Sequence, residues 1–424
     1  MNSEKDMKYI FIILICAFIC NNTMIAQDRV SLTYQTVVKL YNDAQYEKVI
    51  SMFLSSIHDS SDTKTLFYFG MSYAMLNDIA NARKYLLKVI EKDSINMNYR
   101  FQYSKVLINN GYKDEGIDHI KFIIRYDTTY ISAFYQYAII LYEQKKYEEA
   151  ISQFRFVIAS RPRDFLSYYY TGNSFLYIGQ KDSAQVYLTL SLSFNPYYLP
   201  TLTRLGTLYF SNNEYSEAMR LYTLAADKTN DADLHYKIGL CQLRLEKLPE
   251  AIYSINKAIQ ADSSNELYYA QLGYIYFQLE KYDSSALFYK QATVINNEEP
   301  TYYIGLAIAF SKQGMFQQAL ESFQQAVVSS HPEKISSIYM QMGATLYQNK
   351  KYSDAIEVYK KALEYNPKEN DALYYLALSY DQAKQYISAK KWYKKYIALY
   401  RNTDENEKVI YAKKRSVEIQ PIKK

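Results

Sequence analysis

LPTLTRLGTLYFSNNEYSEAMRLYTLAADKTN, residues 199–230, holds two amphipathic segments with a turn between them. Leu202, Leu205 and Tyr209 recur at i, i+3 and i+7, which is one face of a helix. Ala218, Leu221, Tyr222 and Ala225 do the same on a second helix, and Ser211, Asn212 and Asn213 read as the turn. Gly206 and Ala218 are small where the two helices must approach closely, and Tyr209, Tyr215 and Tyr222 fill the remaining space. One such hairpin cannot bury both of its faces, so a second copy has to stack on it.

The copies are present. With Leu199 as position 1 of a 34-residue unit, further units begin at Val30, Thr63, Met97, Ile131, Phe165, Ala232, Glu266, Pro300, Ser336 and Asn370. Position 8 is small from the second unit on: Gly70, Ser104, Ala138, Gly172, Gly206, Gly239, Gly273, Ala307, Gly343 and Ala377. So is position 20, from Ala82 and Gly116 through Ala218 to Ala355 and Ala389. Positions 17 and 24 are often aromatic, as at Tyr147 and Phe154, or Tyr352 and Tyr359. Pro162, Pro196 and Pro367 fall at position 32, where the second helix must stop. The interval from Pro300 to Ser336 is 36 residues, and the two extra residues near Ser330, His331 and Pro332 are expected to lengthen a loop between repeats.

Small, aromatic, alanine, aromatic, alanine at this period resembles the tetratricopeptide (TPR) repeat. The resemblance implies an all-α fold: a right-handed α-solenoid of about eleven helix-turn-helix repeats. A solenoid also accommodates 424 residues without one large core, because each repeat touches only its neighbours. The solenoid is expected over residues 27–403, with a C-terminal capping helix and tail over 404–424. That helix has Thr403 as its cap, Val409, Ile410 and Val417 as its apolar stripe, and Lys413, Lys414 and Arg415 on the wetter side.

Residues 1–26 are a separate object. Lys5 and Lys8 precede a 12-residue apolar run at 9–20, and Ile25, Ala26 and Gln27 offer a small residue before a cut. This resembles a secretory signal peptide cleaved after Ala26, the run being short for a spanning helix. The reading is therefore an exported bacterial TPR protein, bound for the periplasm, with retention of the segment as a membrane anchor the alternative. Cys16 and Cys20 lie in that segment, so the mature chain keeps only Cys241, read as a buried structural thiol.

The rest of the chain offers no catalytic constellation. His58, His119, His235 and His331 lie in four different repeats without metal-ligand spacing. There is no glycine-rich phosphate loop and no nucleophile elbow. Net charge is only +5, and Lys and Arg read as interleaved with Asp and Glu, which leaves little case for nucleic acid; none is assigned as a partner. No catalytic residue, cofactor or metal is assigned, and the chain reads as no enzyme. The TPR resemblance implies a concave groove lined by the first helix of each repeat, through positions 2, 5, 9, 12 and 13. Those positions give Tyr135, Tyr142, Tyr169, Tyr177, Tyr236, Tyr274, Phe277, Tyr347 and Tyr374, with Lys105, Asn173, Arg244 and Lys312 as polar groups on the same side. Tyrosine supplies contact area and a hydrogen-bonding tip at low entropic cost. It is also the filler residue of this chain, 49 of 424, and part of the series is compositional habit. Two functions follow: a non-catalytic scaffold for protein or peptide partners in the cell envelope, or a sensory module that captures glycans or short peptides. Membrane contact enters only through the leader or a partner.

Overall fold

A computed structural model describes residues 34–55, 62–400 and 406–419. The leader at 1–26, the repeat start at Val30, His58 and the cap at Thr403 lie outside the described residues. Among the described residues there are 23 helices and no strand. The chain divides into two compact units at Asn195 and Pro196.

The first unit is built of paired helices: Tyr34–Asn42 with Tyr46–Ser55, Thr63–Met75 with Ile79–Lys92, Met97–Asn109 with Lys113–Tyr126, Ile131–Glu143 with Tyr147–Ser160, and Phe165–Tyr177 with Lys181–Phe194. The second unit continues in the same way. Its pairs are Leu199–Ser211 with Tyr215–Ala226, Ala232–Arg244 with Leu248–Ala261, Glu266–Gln278 with Tyr282–Ile295, Pro300–Lys312 with Phe316–Val328, Pro332–Gln348 with Tyr352–Tyr365, and Asn370–Gln382 with Tyr386–Leu399. A last helix, Glu407–Glu418, follows them. Both units are stacks of antiparallel hairpins, the packing of an α-solenoid.

Every hairpin turns in the same way. In repeat six the N–H of Asn213 donates to Phe210 O and that of Glu214 to Tyr209 O, at 3.1 and 2.9 Å. These two bonds satisfy the last carbonyls of the first helix and require a left-handed residue between the helices. That residue is at position 15 throughout: Ala44, Asn77, Gly111, Lys145, Gly179, Asn213, Glu246, Glu280, Gly314, Lys350 and Lys384 all have positive φ. Lys and Glu there hold a conformation that costs about 1 kcal/mol or more against glycine. Replacing Glu246, Glu280, Lys350 and Lys384 by glycine should therefore raise stability, by roughly 0.5 kcal/mol or more per site after the entropy glycine adds to the unfolded chain. Thermal melts followed by circular dichroism would read this, and an unchanged or lower midpoint would contradict it.

The core is set by the pairing of position 8 with position 24. A Cβ added to Gly70, Gly172 or Gly239 would meet Leu86, Leu188 or Ile255, and one added to Gly206, Gly273 or Gly343 would meet the ring of Tyr222, Tyr289 or Tyr359. Where position 8 is alanine, position 24 is Phe154 opposite Ala138, Phe323 opposite Ala307 and Tyr393 opposite Ala377, and all six are fully buried. Tyr289 has glycine on two sides, because Gly305 of the next repeat also abuts its ring.

Two expectations are corrected. The extra residues of the tenth repeat do not lengthen a loop. Pro332 sits in the first turn of the helix, where its missing N–H costs nothing, and the helix runs for 17 residues instead of the usual 13. The C-terminal helix buries Val409, Ala412, Ser416 and the following Ile419, while Ile410 and Val417 are exposed. Its cap is Asn406, whose side chain accepts from the Val409 N–H. Nor does Arg415 face water freely. Its Nε and Nη2 donate to Asp381 at 2.7 and 3.0 Å, and the Asp381 side chain is only 2% exposed.

Candidate functional site

Four of the nine groove candidates come together in the first unit. Tyr142, on the first helix of repeat four, lies edge-on to Tyr147 and Tyr170, with ring centroids 5.7 and 5.2 Å apart. Tyr177, on the first helix of repeat five, stacks on Tyr147 at 4.7 Å and lies 6.1 Å from Tyr142. Tyr170 stacks on Phe154 and touches Tyr169, and Tyr135 meets Phe154 from the side. Two repeats thus share one continuous aromatic cluster. Tyr177 is its open end, 54% exposed. Asn173 lies one helical turn from both Tyr169 and Tyr177. It is 1% exposed, and neither atom of its side-chain amide has a hydrogen-bond partner. Such a group costs about 1–3 kcal/mol.

The other five candidates do not converge. Tyr236 packs against Tyr268 at 5.0 Å in the core of repeats seven and eight. Tyr274 is 42% exposed, and its hydroxyl accepts from Gln278 at 2.9 Å. Tyr374 is not a groove residue at all: it is 9% exposed, with Tyr396 at 5.3 Å and Tyr411 of the C-terminal helix at 6.3 Å. Burial there raises its hydroxyl pKa. Phe277 and Tyr347 have a structural task instead. Each packs on the aromatic residue at position 17 of its own repeat, Tyr282 at 5.5 Å and Tyr352 at 5.3 Å. Tyr41 with Tyr46, Tyr142 with Tyr147 and Phe210 with Tyr215 make the same clasp across the turn. Such a pair adds about 0.5–1.5 kcal/mol beyond area burial. Position 12 is thus partly a hairpin position, which the groove reading passed over. Of the polar groups, Lys105, Arg244 and Lys312 are exposed.

The sequence reading also missed a polar network between repeats two and three. Arg83 pairs with Glu115 at 2.7 Å, the Tyr103 hydroxyl donates to Glu115 at 3.0 Å, and the Arg83 guanidinium lies 4.0 Å from the Tyr112 ring centroid. Beside it, Arg100 Nη1 donates to His119 Nδ1 at 3.0 Å and stacks on Phe122. The partners lie up to 32 residues apart, beyond any local motif. Burial and the Arg100 charge lower the His119 pKa, Glu115 and Asp118 opposing them. A histidine depressed in the folded state takes up a proton more readily when unfolded. Its contribution to stability is present above the unfolded pKa and is lost as pH falls below about 6.5. The denaturant midpoint should therefore drop between pH 7.5 and 5.5, and His119→Gln should flatten that drop. An equal drop in the variant would sink the assignment.

No metal-ligating group of three side chains occurs among the described residues. Cys241 is fully buried, and burial pushes its thiol up to about 12. No described helix is long and apolar enough to cross a membrane.

Stacked hairpins with an open aromatic end define a repeat-built interaction module. Tetratricopeptide repeat is the family matched, at residues 64–94, 203–266, 267–298 and 336–369, and the chain is a tetratricopeptide-repeat protein. It is 26% identical over 133 residues to TPR repeat-containing protein MJ1428 of Methanocaldococcus jannaschii, which is 31% of this chain and 23% of that one. It is 31% identical over 94 residues to the small glutamine-rich tetratricopeptide repeat-containing protein 2 of Mycosarcoma maydis, 22% of this chain and 26% of that one. The chain therefore spans about a quarter of the length of these relatives. Among solved structures, the C-terminal part of a TPR repeat-containing protein from Cytophaga hutchinsonii aligns over 66% of this chain and 98% of its own, at 18% identity and TM-score 0.44. Tetratricopeptide-repeat proteins are in general scaffolds without catalysis that bind protein or peptide partners.

Proposed function

We propose that this protein is a non-catalytic scaffold, exported to the cell envelope, that holds a protein or peptide partner on the aromatic surface of repeats four and five. The observation that carries this reading is the cluster of Tyr135, Tyr142, Tyr169 and Tyr177 across two repeats, ending in the open ring of Tyr177. Asn173 adds weight. A side chain that makes no hydrogen bond within the fold spends stability where a leucine would not. Leucine there should raise stability by about 1 kcal/mol and weaken partner capture. A residue kept only for packing would show the first effect without the second.

The test is photocrosslinking in the native host. Photoreactive residues replace Tyr169 and Tyr177, with buried Tyr222 as the control. One protein captured at both sites and absent from the control is the expected result. No protein adduct at either site would overturn the scaffold. The stacked ring of Tyr177 also suits a sugar face, so glycan-array binding by the purified chain would then favour the ligand-capturing alternative.

A further inference from the structure

The last hairpin carries a feature unrelated to the aromatic cluster. Its second helix, Tyr386–Leu399, holds Lys390, Lys391, Lys394 and Lys395 and no acidic residue. None of the four makes an ion pair among the described residues, whereas Lys408 and Arg415 of the next helix are paired with Asp371 and Asp381. Helix Glu407–Glu418 adds four basic residues against two acidic ones. These two helices together exceed the +5 of the whole chain, so the remainder is close to neutral and the charge is local. Between them lies a cleft of about 410 Å³, lined by Tyr386, Ile387, Lys390, Lys391, Lys394 and Ile419. The bidentate pair of Arg415 with Asp381 fixes the helix that brings Ile419 to it.

We propose that this cleft takes the phosphate headgroup of an anionic lipid and seats the eleventh repeat on a negatively charged membrane surface. Three features select this occupant. Lysines supply point charges suited to phosphate, on stems that lie along apolar surface. Ile387 stands among them 77% exposed, an apolar group placed to enter the boundary between headgroups and acyl chains. The lining side chains offer cations and apolar surface but, apart from the Tyr386 hydroxyl, no acceptor for the N–H groups of a peptide. An acidic peptide would gain only its side-chain charges there, whereas a lipid meets the cations with its phosphate and the apolar surface with its chains.

The chain has a built-in reporter, because Trp392 is its single tryptophan and lies on the same helix, half-buried, with Lys395 Nζ 4.3 Å from its ring centroid. The full chain would be titrated with vesicles of phosphatidylcholine alone and of phosphatidylcholine with phosphatidylglycerol, reading co-sedimentation and Trp392 emission. Binding should need the anionic lipid, which co-sedimentation reads directly; Trp392 packs on the core outside the cleft, so its emission serves to check that the helix stays folded. Each lysine near an anionic surface contributes about fivefold, so Lys390→Glu, Lys391→Glu and Lys394→Glu together should weaken binding far more than tenfold. Circular dichroism would show that the triple variant is folded, as substitution of solvated side chains predicts. Ile387→Asp should weaken binding without changing the charge of the lysines. Equal binding to neutral vesicles, or undiminished binding of the triple variant, would overturn the proposal. So would saturable binding of inorganic phosphate by the full chain with no co-sedimentation on anionic vesicles, which would make the cleft a site for free phosphate. Binding of polyglutamate but not of anionic vesicles would overturn it in favour of an acidic protein segment.

Discussion

Gly206→Leu should destabilise the protein by about 3 kcal/mol. A Cβ at position 206 would lie 2.8 Å from Cε1 of Tyr222 and 3.0 Å from its Cδ1, well inside contact distance. The Tyr222 ring has nowhere to go. It is 2% exposed, its hydroxyl donates to Thr207 Oγ1 at 3.0 Å, and burial pushes its pKa up to about 12. Leucine would force the ring out and break that bond, adding the loss of a buried hydrogen bond to the cost of overpacking. Gly206→Ala should cost less, because its Cβ meets the same ring but asks of it a shift of only a few tenths of an ångström, whereas the rest of the leucine side chain has no space at all. Alanine returns about 1 kcal/mol of helix propensity, and the eleventh repeat carries Ala377 with Tyr393 at the same two positions. Combining Gly206→Leu with Tyr222→Leu should recover much of the loss, since the second change makes the room the first one lacks. Urea titrations followed by circular dichroism measure all three. A wild-type midpoint for Gly206→Leu would mean that the pairing of positions 8 and 24 does not set the helix separation.

Arg415→Ala should cost about as much, roughly 3 kcal/mol, through a different mechanism. The substitution leaves Asp381 buried and charged, with only the Tyr393 hydroxyl at 3.3 Å to hold it. Removing one member of such a pair is expensive because the other cannot be rehydrated without opening the fold. Here it can be rehydrated by releasing helix Glu407–Glu418, which uncovers Tyr374, Tyr393 and Tyr396. Amide exchange over residues 407–418 should therefore accelerate before the rest of the chain loosens. Replacing the pair together, Arg415→Met with Asp381→Leu, should restore most of the stability. Unchanged exchange in Arg415→Ala would show that the apolar contacts of Val409, Ala412 and Ile419 hold the helix by themselves.

How much of this could be read from the sequence depends on how local the cause is. Helix faces, close approaches and turns recur at 34 residues because each hairpin solves the same packing problem, so Gly206 and Tyr222 already point to each other. The C-terminal helix has no second copy to average over. Its buried stripe uses Ala412 and Ser416. These are weakly apolar, so of the expected stripe only Val409 lies on the buried face, and Ile410 and Val417 do not. The Arg83, Glu115 and Tyr103 network joins neighbouring repeats through space, and no spacing rule covers it. The aromatic cluster is half legible. Tyr135, Tyr142, Tyr169 and Tyr177 follow from the register, but Tyr147, at position 17, reads as filler between helices, and Tyr170, at position 6, falls outside the groove series.

The left-handed residue that closes each hairpin also bears on how far each repeat leans on its neighbours. Repeats two, three, five, six and nine place Asn77, Gly111, Gly179, Asn213 and Gly314 there, residues that adopt this backbone by their own preference. Repeats four, seven, eight, ten and eleven place Lys or Glu there, where the same backbone costs about 1 kcal/mol or more. Both groups need a stacked neighbour, but the second starts from a less favourable turn. Lys350 and Lys384 thus place the last two hairpins among those whose closure leans most on a packed neighbour.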